Sequence, residues 1–79
     1  MADRRRRIYT TLLDDPTRTW TVRELAATVN SVSEGTVRDT FNVLLANGHL
    51  RQVPRQRSLT ATLTDSGQQA LTRLLRSVT

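Results

Sequence analysis

Mainly α with a small β-hairpin is the architecture this sequence predicts, and three observations carry it. Apolar residues recur at helical spacing in four separate stretches, the spacing changes to alternation once, after Gly48, and turn or cap residues stand at the changes of pattern. The predicted order is helix, short strand, helix, helix, β-hairpin, helix, in a single domain spanning residues 1–79. A domain of this length buries only about 60% of its unfolded surface, so pairing with a second copy is an expected source of stability.

The first helix is predicted over residues 3 to 14, where Ile8, Tyr9, Leu12 and Leu13 form one apolar stripe and Asp14-Asp15-Pro16 ends it. Arg4 to Arg7 stand at its start. Four positive charges there oppose the helix dipole and repel one another, so the run reads as a solvated end with an auxiliary phosphate-contacting role. Thr19-Trp20-Thr21 is a short extended segment, since Trp and Thr suit a pleated surface. Trp20 is expected to cap the core over the first and last helices. Thr21 to Glu24 fits a capping box that opens a second helix running to Val29, with Val22, Leu25, Ala26 and Val29 inward. Asn30-Ser31-Val32 breaks it.

The third helix, Ser33 to Asn47, is the best bounded, with Ser33 as N-cap and Asn47-Gly48 as its close. Val37, Phe41, Leu44 and Leu45 share one face, and Gly35, Arg38, Asp39, Asn42, Val43 and Ala46 share the other. Beyond Gly48 come two alternating runs, Leu50 to Val53 and Leu59 to Leu63, joined by Pro54-Arg55-Gln56-Arg57-Ser58. Pro54 cannot donate to a ladder and closes the first run, which makes the pair a hairpin with an arginine-rich tip. Leu59, Ala61 and Leu63 are expected on one side and the threonines on the other. Thr64 or Asp65 caps a last helix to about Ser77, striped with Ala70, Leu71, Leu74, Leu75 and Val78.

Charge narrows the class of partner. Twelve Arg against seven Asp and Glu give a formal net charge of +5, and every basic residue is arginine. A GC-rich coding sequence produces the arginine bias by itself, but not the net charge. Such a balance points to a polyanion, and the guanidinium fork suits phosphate and base recognition. With no cysteine, neither disulfides nor thiolate metal sites arise, and His49 is the only histidine, so no metal or other cofactor is expected. Neither a nucleophile with a patterned base nor a glycine-rich phosphate loop occurs, so no enzyme is expected. No apolar run has the length of a membrane span or signal-peptide core, and the expected location is the cytoplasm.

Three motifs in this order, W-T-V-R-E-L-A at 20–26, T-V-R-D-T-F-N-V-L-L-A-N-G-H-L at 36–50 and L-T-D-S-G-Q-Q-A-L at 63–71, carry a resemblance over residues 4–78. The chain resembles the winged helix-turn-helix DNA-binding domains of bacterial transcriptional regulators, in the style of MarR-like and PadR-like repressors. The turn from Val29 to Ser33 departs from the tightest such pattern by one extra residue. The resemblance implies that the third helix enters the major groove, the hairpin is a wing on the adjacent backbone or minor groove, and the terminal helices pair two subunits.

On that footing Arg38 and Asn42, one turn apart on the outer face, match the arginine–guanine and asparagine–adenine pairings, and Asp39 can accept from cytosine or pair with an arginine. Ser33 and Thr36 at the helix start hold a phosphate or simply cap. Arg55, Gln56 and Arg57 at the wing tip, Arg51 on the strand before it and Arg23 on the second helix supply backbone or minor-groove contacts. Because the third helix carries Glu34 and Asp39 against Arg38, attraction to DNA is assigned to the arginines around it and discrimination to the helix. The expected dimer interface is Ile8, Tyr9, Leu12, Leu71, Leu74, Leu75 and Val78. The expected function is a small homodimeric repressor that occludes an operator, with no separate effector domain. A winged-helix protein-interaction module and a plasmid or phage replication or partition factor stay open as alternatives.

Overall fold

The computed structural model describes residues 3–29 and 32–77. They form α1 (Asp3–Asp14), β1 (Thr19–Thr21), α2 (Val22–Val29), α3 (Glu34–Ala46), β2 (Leu50–Gln52), β3 (Thr60–Leu63) and α4 (Asp65–Ser77), in the predicted order. The expected helix break at Asn30 and Ser31, with the length of the turn there, lies outside the described residues, as does Val78.

Local hydrogen bonds set the helix ends. Thr21 Oγ1 accepts from the Glu24 N–H at 3.0 Å and donates to Glu24 Oε1 at 3.1 Å, so the predicted capping box closes through the two side chains. Ser33, extended at φ −74° and ψ 158°, accepts from the Thr36 N–H and caps α3. At the other end the left-handed residue is Gly48, φ +76°, while Asn47 keeps a helical backbone. Gly48 N–H reaches the Leu45 carbonyl at 3.1 Å and His49 N–H the Leu44 carbonyl at 2.8 Å, the paired bonds of a Schellman close. Thr64, in place of Asp65, caps α4 by accepting from the Gly67 N–H at 2.9 Å.

The hairpin acquires a third strand. β3 is central in an antiparallel sheet of order β1-β3-β2, with Trp20 opposite Ala61 on one side and Leu50 opposite Leu63 on the other. The ladder extends past both edges, through Val22 N–H to the Leu59 carbonyl and Val53 N–H to the Thr60 carbonyl. The expected split of the second run, apolar residues in and threonines out, holds for Ala61 and Leu63 but fails at Thr60, which is buried. Its hydroxyl is satisfied locally by the Ser58 carbonyl at 3.0 Å.

One core joins helices and sheet: Ile8, Tyr9, Leu12, Trp20, Val22, Leu25, Val37, Phe41, Leu44, Leu50, Ala61, Leu63 and Leu71 are all buried. This corrects the expected dimer interface. α1 and α4 pack on each other, and Ile8 and Leu71 at 0%, Leu12 at 1% and Tyr9 at 5% exposure have no free surface left for a second chain. A small domain needs these side chains itself, since each large apolar group enclosed contributes about 1.5–3 kcal/mol. Leu74 keeps 38% of its surface, and Leu75 is half-buried.

Candidate nucleic-acid interface

α3 is held from behind. Val37, Phe41 and Leu44 are sunk in the core, and Thr40 beside them donates to the Thr36 carbonyl at 2.9 Å, so the helix cannot roll without exposing them. Its other face is bare: Gly35, Arg38, Asp39, Asn42, Val43 and Ala46 are exposed, as helical spacing predicts. Arg38 and Asn42 stand there one turn apart, beside Val43, which is 51% exposed. Sequence reasoning placed Val43 on this face without a role, and an apolar group in that position can meet a thymine methyl. Among the described residues, Asp39 forms no salt bridge with Arg38 or any other arginine. Ser33 and Thr36 hydroxyls lie 3.1 Å apart at the start of the helix, with the Ser33 oxygen also taken by the cap.

An open cleft of about 490 Å³ lies where α2, α3 and the β2–β3 loop converge. Arg23, Arg38 and Arg57 line it, together with Thr21, Glu34 and Ser58. Three of the predicted arginines, drawn from three separate elements, therefore share one hollow. Arg23 Nε is 3.7 Å from Glu34 Oε1, with both side chains well exposed. Arg51 is not part of this group; it borders a second hollow with Thr62, Thr64 and Asp65. Arg55 and Gln56 sit exposed at the loop tip, where Arg55 has a left-handed backbone with φ +64°.

The frame behind the cleft depends on a residue that patterning did not single out. Arg18 lies 3.9 Å over the Trp20 ring and 3.2 Å from Glu24 Oε2, and Glu24 in turn holds Thr21. Trp20 is buried, as expected of a core residue. Arg18 lies in the turn just before β1, where its N–H bonds to the Asp15 carbonyl, so strand alternation gave no signal for its place over Trp20. His49 serves through its backbone, whose carbonyl accepts from Thr64 N–H at 3.1 Å. Among the described residues no group of three His, Asp or Glu gathers to hold a metal, and no helix is long and apolar enough to cross a membrane.

No family model and no curated protein matches the chain by sequence. Structure gives a match. The chain is similar over 98% of its length to a MarR family protein from Bacillus stearothermophilus, with a TM-score of 0.70 and 17% sequence identity. It spans about half of that structure, 53% of its length. The shared arrangement is the winged helix-turn-helix fold: α2 and α3 are its helix-turn-helix, and the β2–β3 hairpin is its wing.

Proposed function

We propose that this chain binds double-stranded DNA sequence-specifically, with α3 in the major groove and the wing on the flanking backbone or minor groove. One observation carries the reading: the bare, polar face of α3 adjoins a cleft in which arginines from α2, α3 and the wing converge. Base discrimination falls to Arg38, Asn42, Asp39 and Val43. Phosphate contacts fall to Arg23, Arg51, Arg55, Gln56 and Arg57, with Ser33 and Thr36 at the helix start. The regulatory outcome we assign is repression by a homodimer that occludes an operator, paired along the edge bearing Leu74 and Leu75.

Selection of sites from a random duplex pool, followed by titration of the selected site across salt, tests this. Log K against log [salt] should fall with a slope of about −0.9 for each phosphate neutralised, and a scrambled duplex should bind more weakly. A flat salt response with no preferred duplex would overturn the reading in favour of an acidic protein partner.

A further inference from the structure

The cleft between α2, α3 and the wing contains an acid among its arginines. Glu34 shares the lining with Arg23, Arg38 and Arg57, and its Oε1 lies 3.7 Å from Arg23 Nε. A carboxylate at a guanidinium occupies the position a phosphodiester oxygen would take, because both present the same acceptor to the same fork. Glu34 also opens the first turn of α3, where unpaired N–H groups and the helix dipole favour an anion. The pairing is weak by construction, being long and open to water, with the two side chains 87% and 55% exposed. A well-placed phosphate can displace it.

We infer that Glu34 is an intramolecular competitor for a phosphodiester site on Arg23, an assignment that rests on the DNA reading above. On a duplex in the cognate register, a backbone phosphate displaces Glu34 and takes Arg23. On random duplex no phosphate is held in that position, and Glu34 keeps Arg23 occupied. Glu34 acts through Arg23 as a positioning residue: it holds the guanidinium in the cleft until a register-matched phosphate takes it, and the cost of breaking the pair falls on the cognate complex.

The full chain, Glu34→Gln, Arg23→Ala, the double variant and Asp39→Asn should be titrated with random duplex and with the selected site across salt. Glu34→Gln is expected to tighten selected-site binding roughly two- to five-fold, the range of an exposed ion pair that no longer has to be broken. The gain on random duplex should be smaller, because no phosphate is held at Arg23 there. Asp39→Asn removes the same charge from the same helix and sets the baseline for a general field effect on random duplex. Without Arg23, the Glu34→Gln gain on the selected site should shrink to a general field effect of that size. An equal gain with and without Arg23 overturns the competitor, as does a gain no larger on selected than on random duplex. Failure of the wild-type chain to bind any duplex at low salt removes the DNA reading and the competitor together.

Discussion

Arg55 holds a left-handed backbone at the tip of the wing, φ +64°. For a residue with a side chain that conformation costs about 1–2 kcal/mol, which glycine avoids, while glycine returns about 0.5–1 kcal/mol of freedom to the unfolded chain. Arg55→Gly is therefore expected to leave stability unchanged or raise it by up to about 1 kcal/mol in urea unfolding. A loss larger than that would mean the side chain braces the loop. The same change removes an exposed guanidinium, so duplex affinity should fall on all sequences and the salt slope flatten by about 0.9. Opposite signs at one residue separate fold from binding. Arg38→Ala and Asn42→Ala should instead cost about 1–3 kcal/mol on the selected site and little on random duplex. Equal losses of affinity on both duplexes would show that this face does not read bases. Helical spacing alone turns Arg38 and Asn42 outward, because the residues that bury the opposite face lie on the same helix. The Glu34–Arg23 pairing was not legible that way, since it depends on how α2 and α3 cross.

The turn that closes α3 is bonded directly to the start of α4. Thr64 N–H donates to the His49 carbonyl at 3.1 Å, and its hydroxyl, accepting from Gly67 N–H, shares its proton between the Gly48 and His49 carbonyls. A Cβ at Gly67 would overlap that His49 carbonyl oxygen. Alanine in a helix normally gains about 1 kcal/mol over glycine, but forced overpacking costs about 1–3 kcal/mol, and here the obstacle is pinned backbone. Gly67→Ala should therefore destabilise the fold by about 2 kcal/mol in thermal melts followed by circular dichroism. A variant more stable than wild type would show that the turn moves aside. Signals local to the chain predicted the elements well: Ser33, Thr21 and Gly48 each mark a helix end through bonds to residues within four positions. Long-range partnership was less visible. Thr19-Trp20-Thr21 reads as a strand from composition, yet nothing in those residues names β3 as its partner, and the need for Gly67 to lack a side chain arises from a turn contributed by α3.

At the scale of the whole molecule, burial of Ile8, Tyr9, Leu12 and Leu71 within one chain changes what a dimer must use. Apart from Val43 on the α3 face, the exposed large apolar side chain among the described residues is Leu74, with Leu75 beside it half-covered, so Leu74→Glu should shift sedimentation from dimer to monomer while the fold persists. A wild-type monomer at tens of micromolar would remove the dimer. The composition makes a second global property unusually simple to measure. All basic side chains are arginine and cysteine is absent, so on the alkaline side Tyr9 is the one side chain that titrates before the guanidiniums. Burial raises the Tyr9 phenol above its ordinary value of 10.0, with Arg5 nearby pulling the other way. The folded state thus holds the phenolic proton more tightly than the unfolded chain does. That contribution is fully present below about pH 10 and is lost as pH rises through the folded value, because ionisation then favours the unfolded chain. The urea midpoint should be level from about pH 9 to pH 10 and fall above it, and Tyr9→Phe should abolish the fall. Since Tyr9 is the single tyrosine, tyrosinate absorbance reads its titration in the folded protein directly. Ionisation at the ordinary value, or the same alkaline loss in Tyr9→Phe, would show that the ring is not enclosed where α1 meets the core.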